Sequence, residues 1–236
     1  MSVQIPSAAK VIDTTADVSV VASALRSLGV ESIFGYLNPL GQTAKVVTPT
    51  RARAIAAAGL RLGLVSEGWG DFAHGGLNAA AGTRDANNFL RQAPLLGAPG
   101  GCTGYFAVDV DATYGQIMQF VMPYFSAIRK AFDGAYAVGV YGSGAVCESL
   151  GPALVDARWL AQSTGWLRSR EFALTSAWTL KQGPATRLAG IDCDPNVVQP
   201  NAVVGDFVPF AAAAPAVAAA PSVVGVAGGA SAGESA

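Results

Sequence analysis

The run Tyr105-Phe106-Ala107-Val108-Asp109-Val110-Asp111 closes an apolar, β-type segment with two acidic residues. Strand alternation sends Phe106, Val108 and Val110 to one face, and Tyr105, Ala107, Asp109 and Asp111 to the other. A buried carboxylate is costly unless it is paired, hydrogen-bonded or used. Two of them side by side at the C-terminal end of a strand point to an α/β barrel, where that end carries the chemistry.

Outward from this segment, short β-like runs alternate with longer helix-like ones, the pattern of a mainly parallel sheet wrapped by helices. Strands are predicted at residues 11–13, 31–37, 60–65, 105–111 and 136–141, then at 158–162, 173–178 and 188–191. Helices are predicted over residues 17–28, from Thr48-Pro49 to Gly59, and over 75–90, 113–132 and 145–150. Eight β-like runs, with helices concentrated in the first two-thirds, predict a (β/α)8 TIM-like barrel with a degenerate C-terminal half. An open doubly wound sheet is the alternative. The barrel is expected over residues 8–210, followed by an Ala/Pro/Gly-rich, low-complexity tail at 211–236 that holds a single charge, Glu234. Pro209, Pro215 and Pro221 would interrupt a membrane-spanning helix, so the tail is expected to be linker-like. It is also a candidate docking segment for a homo- or hetero-assembly.

Of the 236 residues 51% are hydrophobic and 13% charged, enough to bury a substantial core. The net charge is −1 and the basic residues form no stripe, which argues against a nucleic-acid partner. Cys102, Cys147 and Cys193 lack metal-ligand spacing and read as buried free thiols, and His74 is the single histidine. A His-based zinc site and a Ser-His-Asp triad are thereby disfavoured. No phosphate-binding loop and no strand-linked dinucleotide motif occurs, so no cofactor is expected. Residues 1–6 carry neither a basic n-region nor an apolar h-region, so the expectation is a cytoplasmic or virion-associated protein, with the cell wall as a site of action.

Carboxylates recur at predicted strand ends: Asp13, Glu67, Asp109, Asp111, Asp192 and Asp194. In a closed barrel these ends share one rim. Glycosidic hydrolysis needs one carboxylic acid to protonate the leaving oxygen and a second carboxylate as base, nucleophile or stabiliser. Carboxyl separations of about 5–5.5 Å suit retention of configuration and about 6.5–9.5 Å inversion. Trp69, Tyr105, Tyr141, Trp166 and Trp178 are candidates for stacking on sugar rings. Two aspartates can also hold a hard cation such as Ca²⁺ or Mg²⁺, but no loop has EF-hand spacing, and no metal site is expected.

Several segments together resemble a known family: Ile12-Asp13, Phe34-Gly35-Tyr36-Leu37, Ala58-Gly59-Leu60 leading to Ser66-Glu67, residues 105–111, Gly139-Val140-Tyr141-Gly142, Trp159-Leu160-Ala161-Gln162 and Gly190-Ile191-Asp192. In that order they resemble the bacterial glycoside-hydrolase-like TIM-barrel proteins. Those are related to the family-25 glycoside hydrolases, the Chalaropsis-type lysozymes that cut peptidoglycan. The resemblance implies a polysaccharide substrate or ligand, with Asp111 as general acid and Asp109 assisting it. It implies that Asp13 and Asp192 orient substrate and water. The lysozymes have a glutamate where this chain has Asp111, and the lost methylene shortens the reach of the acid. Glu67 is the substitute acid. Glycan hydrolysis is therefore weighed against a non-catalytic carbohydrate-binding or structural barrel, such as a phage virion component docked through its tail.

Overall fold

Seven short, largely apolar segments form parallel strands that neighbour one another in chain order. They are β1 (Val11–Asp13), β2 (Ser32–Leu37), β3 (Arg61–Ser66), β4 (Thr103–Ala107), β5 (Ala137–Gly142), β6 (Ala157–Leu160) and β7 (Leu180–Gln182). The computed structural model describes residues 10–37, 45–68, 72 and 75–211. A hairpin strand, β8 (Thr186–Leu188), turns the chain back into β9 (Ile191–Val198). β9 lies antiparallel between β7 and β1 and closes an eight-strand barrel, with β8 outside the ring.

A helix fills each connection from β1 to β7. α1 (Ala22–Ser27), α2 (Pro49–Ala57) and α3 (Ala79–Gln92) serve the first three connections. α4 (Tyr114–Gln116) runs through a π turn at Ile117–Val121 into α5 (Met122–Phe132). α6 (Gly144–Ser149) and α7 (Ser169–Ala173) complete the set. The cap-then-proline signal at Thr48-Pro49 acts as expected, since Thr48 Oγ1 accepts from the Arg51 N–H at 3.3 Å. α3 starts later than predicted, where Asn78 Oδ1 accepts from the Ala81 N–H at 2.9 Å. None of the described helices is long and apolar enough to cross a membrane.

Three expectations for the C-terminal third need correction. Residues 173–178, predicted as a strand, are the end of α7 and a turn. Thr175 Oγ1 donates to the Phe172 carbonyl at 2.8 Å and accepts from the Ala177 N–H at 3.2 Å, which ties the backbone into that turn. The run 188–191 is the corner of the β8–β9 hairpin, with Ala189 and Gly190 both at positive φ. The last strand of the ring is antiparallel instead of following a helical crossover.

Two apolar layers flank the strands. Phe106, Val108, Phe89, Phe125 and Phe132 belong to the layer between barrel and helices, and Trp178 packs there as well. Val11, Phe34, Val65, Tyr105, Ala107, Trp159 and Leu180 fill the barrel interior. Gly63 and Gly139 leave room inside for the rings of Phe34 and Tyr105, where a Cβ would collide with them. Phe34, Tyr105 and Trp159 meet edge to face at centroid distances of 5.1–5.8 Å. Their bulk plugs the barrel and forms a floor beneath its C-terminal mouth.

Candidate active site

Above that floor is a pocket of about 250 Å³ at the C-terminal ends of the parallel strands. Val65, Ala107 and Trp159 give it an apolar base, and Tyr36 and Tyr141 stand at its sides. Glu67, Asp109 and Asp194 supply carboxylates, and Gln162, Ser163 and Gln182 supply neutral polar groups. Each arrives for a local reason. Tyr36 and Tyr141 are the last inward-facing residues of β2 and β5, with Tyr141 packed edge to face on Trp159 at 5.0 Å. Glu67 follows the last residue of β3.

The acidic segment divides. β4 ends at Ala107, so Asp109 and Asp111 lie beyond the strand. Tyr105 and Ala107 face inward and Phe106 and Val108 outward, and Asp109 reaches the pocket. Asp111 does not line it; its Oδ1 accepts from the Leu167 N–H at 2.7 Å, and the residue is exposed.

Asp109 lines the pocket and remains exposed to solvent; desolvation raises its pKa and the Lys45 ammonium opposes that shift. Lys45 Nζ lies 3.5 Å from Glu67 and 5.7 Å from the centre of the Tyr36 ring. The pair is partly exposed, so it holds the two side chains near each other more than it stabilises the fold.

A largely buried polar network adjoins the pocket and shares Gln182 and Asp194 with it, and a second cavity of about 230 Å³ is lined by Asp13, Tyr36, Asp192 and Asp194. Asp13, at the end of β1, pairs in register with Asp194 of β9, which explains why two acidic side chains approach each other. Asn196 Nδ2 donates to Asp13 Oδ2 at 2.7 Å, and Gln182 Nε2 reaches both Asp13 oxygens at 3.2 Å and Asp194 at 3.3 Å. Burial pushes the Asp13 carboxyl up to about 7, aided by the charge of Asp194 and opposed by these hydrogen bonds. Burial also raises Asp194. The phenols of Tyr36 and Tyr141 are raised by burial and by the neighbouring carboxylates.

The other sequence candidates lie apart from the pocket. Asp192 projects into solvent beside Arg187 at 3.9 Å, while its carbonyl accepts from Thr14 Oγ1 at 2.7 Å. Tyr105 is fully buried in the barrel, with its hydroxyl on the Val204 carbonyl at 2.8 Å. Trp178 is buried on the helix side of the strands, so neither ring reaches a ligand in the mouth. Trp69 and His74 fall outside the described residues, as does the tail from residue 212 onward. Tyr36, Gln182, Asn196 and Asp194 are the contributors that the sequence candidates did not include, or left without a role. Their signal is a polar side chain set into an apolar strand, as in Leu180-Lys181-Gln182 and Asn196-Val197-Val198.

The sequence matches the family described as Rv2525c-like, glycoside hydrolase-like domain over residues 23–206. The protein YbfG of Bacillus subtilis (strain 168) is 33% identical over 129 residues, which is 48% of this chain and 18% of YbfG. The chain thus spans about a fifth of that relative's length. Among solved structures, the Tat-secreted protein Rv2525c of Mycobacterium tuberculosis superposes with a TM-score of 0.66 at 19% identity, covering 85% of this chain and 98% of that one. A family 25 glycosyl hydrolase from Bacillus anthracis gives 0.52 at 14% identity, over 80% and 88% of the two chains. At these identities the structural likeness is one of fold, and it is the match over residues 23–206 that assigns the family. This chain belongs to the Rv2525c-like, glycoside hydrolase-like domain family.

Proposed function

We propose that the domain binds a cell-wall glycan, peptidoglycan or a related polysaccharide, in the pocket at the C-terminal mouth of the barrel and hydrolyses it there. The observation that carries this reading is that Glu67 and Asp109 line one pocket whose base and sides are the apolar and aromatic groups Val65, Trp159, Tyr36 and Tyr141. Family membership and the fold shared with a family 25 glycosyl hydrolase support it.

In this reading Asp109 is the general acid, because partial burial raises its pKa and favours the protonated form it must have to act. It gives its proton to the leaving glycosidic oxygen as the C–O bond breaks. Glu67, held by Lys45, stabilises the positive charge that builds on the sugar carbon or assists the group that attacks it. Asp13, Gln182 and Asn196 keep the floor in place. Asp111, engaged with the Leu167 N–H, has a supporting role in the loop.

A second reading, a carbohydrate-binding barrel without turnover, is favoured by that same engagement, since it leaves the pocket without a carboxyl from Asp111. Purified cell walls separate the two. Release of reducing sugars by the wild-type chain is expected. Saturable wall binding with no release across a range of walls and pH would favour the binding module, and neither binding nor release would overturn both.

A further inference from the structure

The loop that joins β6 to α7 carries a further cavity, of about 350 Å³, lined by residues 164–168 and by Arg170 and Glu171. Gln162 and Ser163, which come just before it, line the pocket at the barrel mouth. Consecutive Cα atoms are about 3.8 Å apart, so the chain passes from one cavity to the other in a single peptide step.

The loop is fixed from several sides. Asp111 Oδ1 accepts from the Leu167 N–H at 2.7 Å, and the Leu167 carbonyl accepts from the Ala145 N–H at 2.9 Å. Ser169 Oγ accepts from the Gly144 N–H at 3.0 Å. A Cβ at Gly144 would collide with the Arg168 carbonyl, so glycine there lets the loop lie directly on α6. Arg168 holds a φ of 62°, a backbone that L side chains rarely adopt, and two hydrogen bonds of 3.1 Å fasten its guanidinium to Glu148.

Trp166 is the large apolar group of this cavity and is partly exposed. Among the described residues no aromatic ring packs on it and no acceptor takes its indole N–H. Around it the positive charges of Arg168 and Arg170 are balanced by Glu148 and Glu171. Arg170 donates through Nε to the Thr164 carbonyl at 3.2 Å, which leaves its two terminal nitrogens as donors. The balance of charge gives a bare ion no net attraction. A sugar ring fits better, with its C–H face on the indole and its oxygens accepting from the guanidinium.

We propose that this loop is a second subsite for the glycan. Trp166 is the platform for a ring beyond the one seated in the pocket that Glu67 and Asp109 line, and Asp111 is the positioning residue that holds the platform through Leu167. This rests on the glycan-binding reading above and adds the length of chain that is recognised. The pocket at the mouth, about 250 Å³, lies below the roughly 300–1,000 Å³ of larger ligand pockets and suits one ring, so a polysaccharide seated there must cross the rim.

The test uses the full chain and two glycan fragments from purified peptidoglycan, a disaccharide and an octasaccharide, both freed of peptides. Affinity is read as Kd by calorimetric titration, or as KM beside kcat where a fragment is cut. The octasaccharide is expected to bind at least about tenfold more tightly than the disaccharide. Trp166→Ala should weaken the octasaccharide about tenfold, and leave the disaccharide within about twofold and any kcat within about threefold. Trp166→Phe, which keeps an aromatic face, should lose only about threefold. Asp111→Ala should weaken the octasaccharide alone, by about three- to fivefold, and Asp111→Asn, whose amide oxygen can still accept the Leu167 N–H, should restore it. An octasaccharide no tighter than the disaccharide, or a Trp166→Ala loss that is equal for both fragments or absent from both, overturns the inference and leaves the glycan-binding reading standing. No loss in Asp111→Ala, or a loss that Asp111→Asn does not restore, overturns the positioning role. Neither fragment bound, with cell walls still bound or cut, overturns the subsite as well. No binding or cleavage of fragments or walls overturns both.

Discussion

Three aspartates near the same barrel mouth live in three different environments. Asp13 is buried and held by two amides, Asp109 lines the pocket, and Asp111 fastens a neighbouring loop. In the lower layer the amides of Gln182 and Asn196 are directed at the Asp13 carboxyl. In the upper layer Glu67 meets only the partly exposed Lys45 ammonium, at 3.5 Å, and Asp109 faces the pocket. The difference separates groups that hold the barrel mouth in shape from groups left available to a ligand, and residue type alone does not make that division.

The largest effect on this contrast is expected from the lower layer. Asn196→Leu leaves the Trp159 indole N–H without an acceptor and removes the shortest hydrogen bond to Asp13. Stability should fall by about 3 kcal/mol, measured by denaturant unfolding. A loss below about 1 kcal/mol would mean that the network is loosely held.

A pH series sharpens the same contrast. Because burial raises Asp13 to about 7 from its ordinary 3.8, the folded chain retains a proton there that the unfolded chain has released. The stability contributed by this site is complete below about pH 4 and is lost as pH rises towards 7. Asp194, raised in the same direction, adds to that trend. Asp13→Asn should therefore flatten the decline of Tm with pH across that window. An unchanged slope would show that Asp13 is ionised in the folded protein.

The smallest effect is expected at Asp111. Its hydrogen bond to Leu167 is exposed and the amide of Asp111→Asn can still accept it, so the stability loss should stay within about 1 kcal/mol. A larger loss would make this loop a structural element of the mouth.

Much of the barrel was legible in the sequence because β1 to β6 are buried on both faces, and parallel strands of that kind read as short apolar runs between glycines and caps. The alternation of Tyr105, Phe106, Ala107 and Val108 is the alternation of the structure. It fails for the pair that follows, since β4 stops at Ala107 and the backbone leaves the pleat before Asp111. The closing strand was illegible for a related reason. β9 carries Asp192, Asp194, Pro195 and Asn196, so its barrel-facing positions hold hydrogen-bonding groups instead of an apolar face. The run from Ala173 to Trp178 misled in the opposite sense, with strand-forming residues that a Thr175 turn and core packing of Trp178 hold in another shape. For the site, Asp13, Glu67, Asp109 and Tyr141 could be named from position. Gln182 and Asn196 could not, because their roles arise only when β7 and β9 meet β1.

We propose that a glycan is cut in the pocket that Glu67 and Asp109 line, and a matched pair of variants decides it. Reducing-sugar release from purified cell walls should fall at least about a hundredfold in Asp109→Asn and less than about tenfold in Asp111→Asn, both folded as the wild type. The reverse order, with Asp111→Asn inactive and Asp109→Asn near wild type, would contradict it.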